Sequence, residues 1–387
     1  MPLAPKSAMR IAFVSSYSYL DTVVPLLNAL VGHHQIVLYL VSHTNESAIT
    51  AELHDRSDSG SPSSFLRELD PRVETRPVVL PLLTARSVRS WFVAFKMVNQ
   101  IRSAHFDVCH IQVFLTQLFP LFICCRCLTV ADVHDPFPHP GESRSRFLLP
   151  RVRLFLRMCD KVIIHNKTQL RMFASYFRLP VPKISVVPLG VLKIFAAWEQ
   201  SEVREEEHTI LFLGRISPYK GLEYLAEAWK IIRAANPQAR LIIAGSGELY
   251  FDVHELSADE RVELHNRYIE NSELVRFIQR ASVVVLPYVE ATQSGVVMTA
   301  YAFNKPVVAT NVGGLPEVVE DGVTGYLVPP KDPVALANAI IDLLSNPNER
   351  AAFAESISNK VRHELSWTNI AEQTIEVYRS CLGYHRK

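Results

Sequence analysis

Apolar and polar positions along this chain switch between two spacings, and the switching gives the first outline of the fold. Short strand-like runs, mostly apolar, recur near 10–14 (RIAFV), 36–40 (IVLYL), 76–80, 107–112, 128–132, 160–164 (KVIIH) and 184–187. A second series follows near 209–213, 240–244 (RLIIA), 262–265, 282–287 (SVVVLP), 306–309 (PVVA) and 325–328. Runs of this length suit strands covered on both faces of a parallel sheet. Between them the apolar positions return at helical spacing, as in Leu222, Leu225, Ala226, Trp229 and Ile232, so Gly221 opens a helix. Helices are also expected around 332–345, 347–363 and 366–382, and 113–125 (VFLTQLFPLFICC) reads as a buried helix running into a strand. Strands alternating with helices throughout predict an α/β fold of two doubly wound, Rossmann-like parallel-sheet domains facing across a cleft. The polar run 199–208 (EQSEVREEEH) separates the two series and is the expected linker.

A length of 387 residues agrees with two domains. The net charge of +1 conceals an asymmetry. Residues 1–195 carry 22 Lys/Arg against 13 Asp/Glu (+9), and residues 196–387 carry 18 against 26 (−8). The two halves therefore face different partners. No second cysteine cluster answers Cys124, Cys125 and Cys127 elsewhere, so reduced cysteines of a cytosolic protein are expected. The segment 113–125 is too short to span a bilayer, and the opening residues lack a signal-peptide core.

The chemistry narrows by elimination. The turn after the first strand (VSSYSYLD) has no GxGxxG, there is no P-loop, and no DxD pair offers itself to a divalent metal, so no metal site is expected. What stands out is ILFLGRISPYKGLEYL (210–225), where Arg215 and Lys220 follow a buried strand, beyond whose carboxyl end open α/β sheets bind ligands. Taken alone, the pair reads equally well as solubilising surface charge.

The second half decides between these. FLGRISPYKGLEYL (212–225), LIIAGSGE (241–248), VVLPYVEATQSGV (284–296) and AYAFNKPVVATNVGGLPEVVEDGVTGYLVPP (300–330), in that order, resemble the retaining glycosyltransferases of family 4, which have the GT-B fold. In the first half ADVHDPFPHPGE (131–142) and DVCHIQ (107–112) resemble the family's histidine segment and the strand before it. The resemblance implies a 1–198 acceptor-side domain, on which the 366–382 helix packs back, and a 209–365 donor-binding domain. It implies that Arg215 and Lys220 hold the diphosphate of a nucleotide-sugar donor. Charge building on the leaving diphosphate needs preorganised cations and amides. Gly214, Gly245, Gly247, Glu248, Gln293, Ser294, Gly295, Gly313, Gly314 and Glu317 fall on the donor side, with Gly295 opening an apolar helix whose N-terminus favours an anion. His134 is placed at the donor sugar, and His110, His139 and His165 read as ordinary strand-end residues.

Arg267, Tyr268 and Ile269 follow the VELHN strand and either meet the base or pack a loop. UDP is the favoured nucleotide, GDP the second, and no other cofactor is implied. Where many members carry two glutamates eight positions apart, Thr299 stands at the second position and Glu290 near the first.

The implied activity is metal-independent, retaining transfer of a hexose to a glycan or lipid-linked acceptor in polysaccharide or glycolipid biosynthesis. The alternatives are a nucleotide-sugar epimerase of similar fold, which would convert its donor without acceptor, and a catalytically silent partner subunit. The segment 144–159 (RSRFLLPRVRLFLRMC) has five arginines and no acid. It reads either as a core-packed helix with a solvated basic side or as a peripheral contact with anionic lipid at the inner membrane face. Nucleic acid is not an expected partner.

Overall fold

The computed structural model describes residues 8–42, 62–80, 87–113, 127–134, 137 and 148–385. Among them, seven parallel strands form the first sheet: β1 (Arg10–Ser16), β2 (Gln35–Ser42), β3 (Glu74–Val79), β4 (Val108–Ile111), β5 (Leu128–Asp132), β6 (Lys161–Ile164) and β7 (Ile184–Val186), in the order β3-β2-β1-β4-β5-β6-β7. Six more form the second: β8 (Thr209–Leu213), β9 (Arg240–Gly245), β10 (Val262–Asn266), β11 (Val283–Leu286), β12 (Val307–Thr310) and β13 (Gly325–Val328), in the order β10-β9-β8-β11-β12-β13. All thirteen lie where apolar runs predict them; β3 starts two residues early, because its pairing with β2 runs back to Glu74 opposite Val37. The apolar stretch 113–125 lies, apart from Val113, outside the described residues.

Both faces of each sheet are buried, which is why the runs do not alternate. In the first sheet Ile11, Phe13 and Leu38 face one core, and Ala12, Val14, Val37 and Tyr39 the other. Helices Val88–Ser103, Leu148–Met158 and Leu170–Phe177 cover the Tyr39 face. Helix Leu20–Leu30 covers the Phe13 face, and the last helix, Trp367–His385, returns from the second half to pack beside it. The crossing is tight: the Trp367 indole N–H donates to the Val191 carbonyl at 2.7 Å. A Cβ at Gly190 would sit 2.6 Å from the Trp367 ring.

The strand order reverses around β1, between β2 and β4, and around β8, between β9 and β11. These are switch points, beyond whose carboxyl ends a doubly wound sheet opens a crevice.

Candidate active site between the two sheets

β8 is followed by a turn that ends in Lys220, and Gly221 lets the chain enter the next helix at φ 66°. A Cβ there would lie 2.0 Å from the Pro287 carbonyl oxygen, so the turn packs backbone against the strand β11 exit. The Val289 N–H donates to the Tyr219 carbonyl at 2.8 Å, which holds exposed Glu290 beside the turn. The Lys220 ammonium stands 3.7 Å from the Tyr288 ring centroid, a cation–π contact. Arg215 is exposed on the same turn.

Beyond β11 the chain turns into helix Gly295–Ala302 with Ser294 at its N-cap in extended conformation. Ser294 is buried, yet neither its Oγ nor the Oε1 of Gln293 meets a hydrogen-bond partner. Buried polar atoms are ordinarily satisfied; these two stand unpartnered at the N-terminus of a helix, a position whose free N–H groups favour an anion. The amide of Gln293 donates across the cleft to the His134 carbonyl at 2.9 Å. Thr299 is buried and its hydroxyl donates to the Gly295 carbonyl at 2.8 Å, so it is committed within its own helix.

Other bonds close the halves on each other. Asn166 donates to the Thr292 carbonyl at 2.7 Å. The Glu317 carboxylate accepts from the backbone N–H groups of Lys167 (2.7 Å) and Thr168 (2.5 Å). Gly314 permits this approach, since a Cβ there would fall 3.2 Å from Asn166, and Gly313, at φ 54°, packs on Ala291 within the second half.

On the first-half wall, β4, β5 and β6 deliver a buried polar cluster centred on Asp132. His110 Nε2 lies 3.2 Å from Asp132 Oδ2, and its Nδ1 lies 2.7 Å from the hydroxyl of Tyr378 on the last helix. The Gln112 amide donates to Asp132 at 3.1 Å and takes its own bond from Ser15 at 2.8 Å. His165 Nε2 is 3.0 Å from Asp132 Oδ1, with its Nδ1 on the Val187 carbonyl at 2.9 Å. His134 stacks on Tyr19 with centroids 4.8 Å apart, and its Nε2 lies 3.8 Å from Asp132.

Burial raises the Asp132 carboxyl, but the charges of His165 and His134 and the bonds from His110 and His165 outweigh it, leaving Asp132 well below 3.8. Burial likewise pushes His165 down, but the Asp132 charge and the hydrogen bonds His165 donates to Asp132 and to the Val187 carbonyl lift it above 6.5. The signs fix a pH window. Asp132 stabilises the fold above about pH 3.8, and that contribution fades as pH falls through its lowered folded value. His165 stabilises it fully below about pH 6.5, and that contribution is lost as pH rises through the raised folded value. His165→Asn is therefore expected to lower the melting temperature more at pH 6 than at pH 9. Equal losses at both would dispose of the ion pair.

Asp132, which the chain's motifs alone do not single out, and His165, which reads from them as an ordinary strand end, thus join His134. The signal was present: VCHIQ, TVADVH and VIIH each place a polar group within or just after a buried strand. Ligand atoms of Asp132, His134 and His165 all lie within 4.8 Å of one another, a donor set able to hold a divalent cation. His139 lies outside the described residues.

A cavity of about 300 Å³ between the halves is lined by His165, Asn166, Gln293, Ser294, Gly314 and Glu317, among others. Arg215, Lys220 and Glu290 do not line it. Of the base candidates, Arg267 is engaged by Glu273, Tyr268 is exposed and Ile269 is buried in the core, so Ile269 offers only its backbone. Gly247 and Glu248 are exposed beyond β9, the Gly247 N–H accepted by Asn266 at 3.1 Å.

Two family profiles match the chain: "Glycosyltransferase Family 4" over residues 23–191 and "Glycosyl transferases group 1" over 207–346. An uncharacterized glycosyltransferase of Methanocaldococcus jannaschii is 32% identical over 235 residues, 57% of this chain and 60% of the relative. A D-inositol 3-phosphate glycosyltransferase of Paenarthrobacter aurescens is 30% identical over 237 residues, 58% of each. The alignments thus span about three-fifths of these relatives. Among solved structures, sucrose-phosphate synthase from Thermosynechococcus elongatus superposes with a TM-score of 0.72 at 21% identity, covering 97% of this chain and 100% of the other. Anabaena HepE in complex with UDP and glucose gives 0.69 at 18% identity, covering 96% and 100%. Both share the fold.

Proposed function

The chain belongs to the group 1, family 4 glycosyltransferases, and we propose that it is a retaining, metal-independent hexosyltransferase. The donor is a nucleotide diphosphate sugar, UDP before GDP, and the acceptor a glycan or a lipid-linked sugar, used in polysaccharide or glycolipid synthesis at the cytoplasmic face of a membrane. No helix among the described residues is long and apolar enough to cross a membrane. Residues 209–365 take the donor, 1–198 the acceptor, and 199–208 join them.

The observation that carries this reading is the pair of buried, unpartnered atoms, Ser294 Oγ and Gln293 Oε1, at the N-terminus of helix Gly295–Ala302. The donor diphosphate accepts from Ser294 and the adjacent amides. Arg215 and Lys220 neutralise the charge that grows as the bond from the anomeric carbon to the diphosphate breaks. The acceptor oxygen forms its bond to that carbon on the same face, and its proton passes to the departing phosphate. His134, its carbonyl held by Gln293, positions the sugar.

Ligand-induced thermal stabilisation is the direct test: UDP or GDP sugars are expected to raise the melting temperature by a margin that grows with concentration. No shift at millimolar nucleotide overturns the reading. Thr299→Ala is expected to weaken donor binding about tenfold at most, because its hydroxyl is bonded within its own helix. Turnover is expected to persist in excess EDTA. Complete loss restored by Mn²⁺ would assign a working metal to Asp132, His134 and His165.

A further inference from the structure

The first half's basic surplus is not scattered. Helices Val88–Ser103, Leu148–Met158 and Leu170–Phe177 cover one face of the first sheet and bury Ala94, Met97, Val98, Phe155, Leu156, Phe173 and Phe177 against it. Their sequences hold seven cations (Arg89, Lys96, Arg102, Arg151, Arg153, Arg157, Arg171) and no acid. The surrounding chain is as one-sided. No acid occurs between Glu74 and Asp107, and Asp160 is the one acid from 143 to 198. Asp107 is turned to the Arg10 N–H at 2.8 Å and Asp160 to the Thr129 N–H at 2.7 Å, so neither offsets the outer surface.

On the outside of these same helices stand Val88, Phe92, Phe95, Leu154 and Met172, each between 52% and 82% exposed. A single exposed apolar residue needs no explanation, whereas five on one acid-free layer do. Val88, Phe92 and Phe95 follow one another at helical spacing, so they form a ridge along the first helix, with Arg89 and Lys96 beside it. Arg153 is otherwise employed, donating to the Tyr176 carbonyl at 2.7 Å, but Arg89, Lys96, Arg102, Arg151, Arg157 and Arg171 are exposed.

We propose that this three-helix face is a docking surface for an anionic lipid bilayer. Phe92, Phe95 and Val88 enter the boundary between headgroups and acyl chains, and the surrounding cations meet the headgroup phosphates. A charged, acid-free rim around aromatic residues is the pattern of an interfacial segment, and juxtamembrane cations add attraction that salt screens. The 144–159 segment is thereby one contributor, through Arg151, Leu154 and Arg157; its first four residues lie outside the described ones. The surface is independent of which sugar is moved.

Sedimentation of the full chain with vesicles tests it. Vesicles of equal phosphatidylglycerol and phosphatidylcholine are expected to pull the protein down, pure phosphatidylcholine to leave it in solution, and rising salt to release it. Arg89→Gln with Lys96→Gln is expected to weaken partitioning about fivefold per charge, the equivalent of ~1 kcal/mol each. Phe92→Ser with Phe95→Ser is expected to weaken it at least about tenfold without lowering the melting temperature, since both rings are exposed. Equal binding to neutral vesicles, variants that bind as the wild type does, or no sedimentation at all would each overturn the proposal. So would a wild-type dimer that the phenylalanine variants dissolve, because the face would then serve a second copy.

Discussion

Lys220→Ala is expected to cut turnover roughly 10²–10³-fold, as the loss of one preorganised charge contact does elsewhere. The structure gives the lysine its fixed geometry. It closes the turn after β8, the Tyr288 ring holds its ammonium at 3.7 Å, and the lack of a Cβ at Gly221 lets the turn pack against Pro287. Removing the side chain also deletes the cation–π contact, worth about 1 kcal/mol, so a small fall in melting temperature should accompany the kinetic loss. Arg215→Ala should match it in turnover. Release of nucleotide diphosphate, with the donor found by thermal stabilisation, measures both. Near-normal turnover in both variants would remove the diphosphate from this turn.

Asp132→Ala is expected to cost about 3–5 kcal/mol of stability, the usual result of taking one partner from a buried ion pair. Asp132 is held by His110, Gln112 and His165 at once, and His110 and Gln112 are buried with it away from water. With total stabilities commonly near 5–15 kcal/mol, the variant should unfold at markedly lower urea. Adding His165→Ala to it should cost less than the two single losses together, because the two share one interaction. A single-variant loss under about 1 kcal/mol, or simple additivity, would show that the pair is not what holds this wall.

The two predictions also mark what could be read beforehand. The β8 turn was legible because strand, turn and helix are consecutive: Ile210 to Leu225 contains the buried run, the two cations and the glycine that must take positive φ. Most strands were legible for the same reason, being local apolar runs buried on both faces, while β3 and β10 are only partly buried. The Asp132 cluster was not, because Ser15, His110, Gln112, Asp132, His134, His165 and Tyr378 come from strands β1, β4 and β5, the residues just beyond β4, β5 and β6, and the last helix. Each polar residue alone looks like a strand end, and only the parallel register brings them level. Glu317 illustrates a different limit: a first-turn glutamate facing a glycine-rich cleft reads as a donor contact, yet its carboxylate caps the Lys167–Thr168 backbone across the cleft. Sequence indicates which groups line a crevice but not what they meet when it closes.

Helix Trp367–His385 completes the core around helix Leu20–Leu30, and Tyr378 reaches His110 from it. On the ribosome these partners emerge far apart in time. At about 5–20 residues per second, on the order of tens of seconds separate residue 30 from residue 367. Part of the first sheet's Phe13 face is therefore without its cover while the whole second half is synthesised. Nascent chains stalled near residue 200 should expose that apolar face to chaperones and proteases, and chains stalled after the last helix has cleared the exit tunnel should not.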